Sequence, residues 1–117
     1  MRFLVMVKAT PKSESGSMPT REALEEMGAF NQTLAKDGVI LDMGGLEPTS
    51  RSARISFAGG KPTVIDGPFT ETKELVAGFW LLQCKSKEEI VERLSRAPFE
   101  DGAIEIRRLY ELEELGL

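Results

Sequence analysis

Histidine is absent from this chain of 117 residues, and cysteine occurs once, at Cys84. Without a second thiol there is no intrachain disulfide, and without imidazole nearly every zinc or transition-metal ligand set is removed. Nucleophile chemistry of the Ser-His-Asp or Cys-His kind goes with them. A carboxylate site for a hard cation is the one metal option left, and it has no supporting motif, so neither a metal nor a cofactor is expected.

Long apolar runs are missing too. None approaches the roughly 20 residues that a membrane helix requires. The opening run Phe3-Leu4-Val5-Met6-Val7 is too short and too weakly flanked for a secretory signal and reads as a first strand. Nor is there a basic excess: 15 Lys and Arg stand against 19 Asp and Glu, a net charge of −4, with the basic residues scattered along the chain. That distribution lacks the footprint of a nucleic-acid binder. One cytoplasmic domain spanning 1–117, without direct nucleic-acid or membrane contact, is the expectation.

What is present alternates between strand and helix signals. Arg2 to Lys8 reads as a strand, and Thr10 to Pro19 as a polar Ser/Gly/Pro loop. Thr20 then caps a helix whose buried stripe is Ala23, Met27, Phe30 and Leu34, and Asp37-Gly38 stops it. Val39 to Met43 reads as a second strand and Gly44 to Pro48 as a loop. Ala53 to Ala58 and Thr63 to Asp66 flank Gly59-Gly60-Lys61-Pro62 as a hairpin. Leu75 to Cys84 is the most apolar strand. Ser86 and Glu89 form a capping box for a helix to Arg96 with Ile90, Val91 and Leu94 as its stripe. Ala103 to Tyr110 is the last strand, and Leu112 to Leu117 a short tail.

This order predicts an α+β fold: a ferredoxin-like antiparallel sheet with two helices on one face. The other face is then bare. Yet the Leu75 strand is apolar on both alternations, with Phe79 and Leu81 on one side and Val76, Trp80 and Leu82 on the other. A chain of this size has no layer left to cover the second side, so a homodimer packing sheet against sheet is expected, with an internal cavity. Ile104 and Ile106 should face the helices, which sends Glu105 and Arg107 into that cavity. There they form either a structural ion pair or part of a ligand site.

The stretch from Ile65 to Glu74 packs a tight turn and four ionisable side chains into ten residues. Asp66 reads in two ways. It either caps the turn by bonding a backbone N–H two residues on, or stands as a carboxylate at the cavity mouth. Glu71 and Lys73 share a face if the segment is extended and Glu71 and Glu74 if it is helical; the extended or irregular form is expected, in which Lys73 either neutralises Asp66, Glu105 or an acidic ligand or belongs to a solvated charge run. Trp80 either stacks on a planar ligand or belongs to a core or interface. Cys84 reads as a small buried hydrophobe.

Asp66-Gly67-Pro68-Phe69-Thr70-Glu71-Thr72-Lys73-Glu74 resembles the signature of the DGPF (DGPFAETKE) proteins of the YCII-related group, with Thr70 in place of Ala. Gly78-Phe79-Trp80, Leu46-Glu47-Pro48 and Ile104-Glu105-Ile106-Arg107 extend the likeness over almost the whole chain, although Arg108 stands where that family commonly has Pro. The resemblance implies the dimeric α+β-barrel fold. It also implies two directions for function. Some YCII relatives look like small-molecule enzymes with a His-Asp pair, which this chain lacks, while DGPF proteins are often encoded beside or fused to extracytoplasmic-function sigma factors.

Two functions are therefore expected in competition. The first is a homodimer binding a small molecule at the sheet face, with Asp66 as the candidate for weak acid–base chemistry and Phe69, Glu71, Lys73, Trp80, Glu105 and Arg107 as candidate ligand-binding residues. The alternative is a non-catalytic accessory module that meets a protein partner such as a sigma factor through exposed helix residues Glu88, Glu92 and Arg93.

Overall fold

Alternation of Phe3, Val5 and Val7 with Leu4 and Met6 makes Arg2–Lys8 a strand, β1, with two apolar faces. The computed structural model describes the backbone of residues 1–117 and every side chain except that of Lys73. After β1 come a short helix α1 (Pro11–Glu14), the long helix α2 (Arg21–Lys36), β2 (Ile40–Gly45), β3 (Ala53–Ser56), β4 (Thr63–Asp66), β5 (Val76–Gln83), α3 (Lys87–Leu94) and β6 (Ile104–Arg108). Thr20 caps α2 by accepting from the Ala23 N–H at 3.1 Å, and Ser86 caps α3 by accepting from Glu89 N–H at 3.1 Å.

Four strands form one sheet in the order β2-β5-β1-β6, every neighbouring pair antiparallel. The fold is α+β and ferredoxin-like, as the element order predicts. Phe3, Val5, Trp80 and Leu82 meet Leu34 of α2 and Ile90 and Leu94 of α3 in a single core. Both helices therefore cover one face. On the other face lie the cross-strand pairs Leu4–Leu81 and Met6–Phe79, with Arg107 and Glu105 opposite Leu4 and Met6 on the outer strand. These four apolar side chains are only half-buried.

The β3–β4 hairpin belongs to neither layer. It forms its own two-stranded sheet, pairing Ala53 with Asp66, Arg54 with Ile65, Ile55 with Val64 and Ser56 with Thr63. Its tip turns through Gly59 and Gly60, whose φ of 71° and 78° favour glycine. The projecting hairpin flattens the molecule to 45 × 45 × 18 Å, with a radius of gyration of 16.3 Å. A compact chain of this length would have about 13 Å.

Several local expectations are corrected. Gly44 and Gly45 are not loop but the end of β2, because β5 supplies ladder partners for them at Phe79 and Gly78. Within the Thr10 to Pro19 stretch, Pro11–Glu14 is helical. Thr10 and Ser13 bond each other's backbone N–H, and Pro11 fills the first turn, where a missing N–H is harmless. Ala23 is exposed, because the first turns of α2 stand off the sheet, and Val91 is exposed because only Ile90 and Leu94, four residues apart, face inward. Thr72–Glu74 is a 3₁₀ turn rather than an extended segment, closed by Glu74 N–H to Glu71 and Leu75 N–H to Thr72. The tail is tied down as a further 3₁₀ turn, Leu112–Leu115, by paired contacts from Arg108 to Glu114 at 2.6 and 2.7 Å and from Arg2 to Glu111 at 3.2 and 3.0 Å.

Candidate functional site

The Asp66 to Glu74 signature closes the base of the hairpin. The residue two positions beyond Asp66 is Pro68, which has no N–H, so Asp66 does not cap this turn in the way expected from the sequence. The bonds are made by its neighbours instead. Gly67 N–H donates to Ser52 carbonyl at 2.9 Å, and Phe69 N–H donates to Thr49 Oγ1 at 3.0 Å. Thr49 in turn donates both N–H (3.1 Å) and hydroxyl (2.5 Å) to the Glu14 carboxylate on α1. A Cβ at Gly67 would run into the Thr49 carbonyl, which is why glycine stands there. The Arg54 guanidinium lies 3.7 Å above the Phe69 ring centre, a cation–π contact between the hairpin and the signature. Asp66 and Glu71 are both exposed. The Lys73 side chain lies outside the described residues, so its expected role has no geometry to compare with.

Trp80 lies on the helix-covered face and is 4% exposed. Its ring is met edge-on by Phe30 and Phe99, at centroid distances of 6.1 and 6.2 Å. Its indole N–H donates to Asn31 Oδ1 at 2.9 Å. An indole can only donate, so the amide oxygen of Asn31 must face Trp80 and its NH₂ must point elsewhere. Beside this pair opens a crevice of about 390 Å³ between α2 and the sheet, lined by Leu24, Met27, Asn31, Met43, Trp80 and Phe99 among others. Gly45 and Gly78 face each other in its floor. A Cβ at Gly45 would meet no atom within 4 Å, so the missing side chain there is open space within reach of the crevice. No ionisable side chain among the described residues lines it.

Glu105 and Arg107 lie on the opposite face of the sheet, with Arg107 Nη1 3.9 Å from Glu105 Oε2 and their side chains 47% and 72% exposed. At that exposure the contact is a weak surface pair. The residues singled out from the sequence thus fall into separate places: Asp66, Phe69 and Glu71 at the hairpin base, Trp80 in the crevice, Glu105 and Arg107 on the bare face. Asn31 went unnoticed in the sequence. Its signal was a polar residue four positions beyond Met27 and one beyond Phe30, beside a helix stripe that is otherwise apolar.

Around these features the charge is neutralised locally. Arg93 on α3 reaches Asp37 at 2.7 Å and Glu89 at 3.3 Å, with its own pKa raised chiefly by the hydrogen bond to Asp37. Glu92 pairs with Arg96. Burial pushes the Cys84 thiol pKa upward, with a further push from Glu89, which favours the protonated form.

A family profile for the YCII-related domain matches residues 1–113. The chain belongs to the YCII-related family. An uncharacterized protein of Rhizobium meliloti (strain 1021) is 33% identical to this YCII-related chain over 89 residues, 74% of this chain and 72% of the other. Among solved structures, 5-chloro-2-hydroxyhydroquinone dehydrochlorinase (TftG) from Burkholderia phenoliruptrix AC1100, in complex with 2,5-dihydroxybenzoquinone, is similar with a TM-score of 0.54 over 94% of each chain. Its sequence identity is 18%, so the likeness is one of fold. No helix among the described residues is long and apolar enough to cross a membrane.

Proposed function

We propose that this YCII-related protein is a homodimer that binds a small, flat, mostly apolar organic molecule in the crevice beside Trp80. The crevice itself is the observation that supports this: about 390 Å³ with aromatic and thioether walls, glycines in the floor, and one amide whose orientation is fixed. Because Asn31 gives its oxygen to Trp80, it has N–H groups to offer a ligand carbonyl or hydroxyl oxygen. A ring with oxygens at its rim suits these walls. The 2,5-dihydroxybenzoquinone bound by the fold neighbour is of that kind.

The walls suit binding and orienting a ligand, and none of the described residues in them can move a proton. Acid–base chemistry by Asp66, with Lys73 and Arg107 stabilising charge, is a narrower form of the proposal. Asp66 sits on the hairpin, so that chemistry requires a second copy to bring the carboxylate near a bound molecule. The homodimer part is supported by the half-buried apolar strip on the bare sheet face. The competing accessory-module reading, with a sigma factor as partner, has less support, since Glu92 and Arg93 on α3 are engaged within the chain.

A thermal-melt and calorimetry screen of hydroxylated benzoquinones and phenols tests the binding. The wild type is expected to gain stability with at least one of them, and Gly45→Leu, which fills open space at the crevice floor, is expected to lose that gain. Equal gains in wild type and Gly45→Leu would move the site elsewhere. Asp66→Asn in the same screen separates binding from proton transfer, because only turnover should then be lost.

A further inference from the structure

We infer that the crevice beside Trp80 is one half of a two-part site, and that its ligand is an aromatic ring carrying a short amine-bearing tail. This rests on the small-molecule reading and names the class of ligand. A second hollow, of about 480 Å³, adjoins the crevice at Phe99, which lines both. Its walls come from the Thr10 to Pro19 segment, the first turns of α2, and Pro98 and Glu100 in the connection from α3 to β6. That connection is anchored at each end, by Ala97 N–H to the Leu94 carbonyl at 3.1 Å and by Lys8 N–H to the Ala103 carbonyl at 2.9 Å. Phe99 is thereby held against Trp80 with its own ring 40% exposed.

Helix α2 runs along both halves. Thr20, Ala23, Met27 and Asn31 recur at helical spacing and share one face; Thr20 and Ala23 line the second hollow, Met27 and Asn31 the crevice. The exposure of Ala23 belongs to this arrangement, because the first turns of α2 stand off the sheet and the gap beneath them is the hollow. From Asn31 back to Ala23 the helix covers roughly 12 Å. A phenol with an ethylamine chain, hydrogen-bonded at both ends, has about that reach.

Charge identifies the tail. The crevice has no ionisable wall among the described residues, whereas Glu22, Glu26 and Glu100 line the second hollow against one cation, Lys12. A carboxylate or phosphate there meets net repulsion and an ammonium net attraction. Glu22 and Glu26 are also one helical turn apart, where like charges repel, and a cation between them relieves that repulsion. The orientation follows: ring oxygen at Asn31, ammonium beyond Phe99.

The test is calorimetric titration of the full chain with 4-ethylphenol, tyramine and 3-(4-hydroxyphenyl)propionate, which share a phenol ring and differ in the tail. Tyramine is expected to bind about tenfold tighter than 4-ethylphenol, and the acid more weakly than either. The tyramine advantage should shrink as salt is raised. In Ala23→Phe, which fills the second hollow, the affinity ratio of tyramine to 4-ethylphenol should fall to about one. Binding of 4-ethylphenol with no tyramine advantage overturns the two-part site and leaves the crevice reading standing, as does an advantage that Ala23→Phe retains. No binding by any of the three overturns the inference; no binding by 2,5-dihydroxybenzoquinone either overturns the crevice reading as well. Should Ala23→Phe fail to fold, the wild type decides: an acid bound as tightly as the amine, or an advantage indifferent to salt, refutes the inference.

Discussion

The helix-covered sheet and the β3–β4 hairpin draw on the same residue types in the same alternation, yet only the sheet buries them. Val5 and Leu82 are fully enclosed by α2 and α3, while Ile55 and Val64 face solvent. Alternation therefore specifies which residues share a face and says nothing of whether a layer exists to cover it. The two regions also hold their shape by different means. The sheet is fixed by its core, whereas the hairpin is fixed at its base by directional polar contacts and by a glycine where a Cβ would run into the Thr49 carbonyl. A region held by hydrogen bonds and steric fit can leave its apolar surface available.

The sharpest way to break this contrast is to truncate one side chain in each region. Leu82→Ala empties the centre of the core and is expected to lower unfolding free energy by about 3 kcal/mol, whereas Val64→Ala should change protomer stability by no more than about 0.5 kcal/mol. Urea unfolding at low protein concentration reads both. Comparable losses would mean that the hairpin is part of the core. At the hairpin's base the effects should be intermediate. Gly67→Ala forces a Cβ onto the Thr49 carbonyl at a cost of about 2 kcal/mol, and Thr49→Val, which strands the Phe69 N–H and leaves Glu14 only the Thr49 backbone N–H, costs about 1 to 2 kcal/mol. Both variants should also raise hydrogen exchange in β3 and β4 while leaving β1 and β5 unchanged. Uniformly faster exchange across both regions would show that they unfold together.

The legible parts were those where a local rule has one answer. Thr20 and Ser86 were readable as caps, and strand parity alone put Trp80 and Leu82 on one side of β5 and Phe79 and Leu81 on the other. The same parity separated Glu105 and Arg107 from Ile104 and Ile106. What could not be read depended on contacts distant in sequence. Glu14 meets Thr49 across 35 positions and Trp80 meets Asn31 across 49, and no spacing rule reaches that far. Gly44 and Gly45 looked like a loop because glycine disfavours strands, but β5 supplied their partners, and a Cβ at Gly44 would press on the Phe79 ring. The signature was recognised without its purpose. Its charges drew attention to chemistry, while Gly67 and Phe69 act mechanically.

The smallest expected effect lies at the C-terminal turn, which resembles the hairpin's base in being pinned by polar contacts. Glu114 accepts two hydrogen bonds from Arg108 and one from Glu111 N–H, and the Arg108 bonds are the main cause of a carboxyl pKa lowered from 4.5 to about 2. A carboxylate with a depressed folded pKa contributes stability that is fully present above the unfolded value. That contribution is lost as pH falls from about 4.5 toward 2. Both partners are more than one-third exposed, so the contribution is small and weakens with salt. Glu114→Gln should therefore loosen the turn slightly at neutral pH, seen as faster exchange of the Gly116 and Leu117 amides, and should match the wild type near pH 2. A difference between the two that persisted undiminished to pH 2 would show that Glu114 acts there through packing and not through its charge.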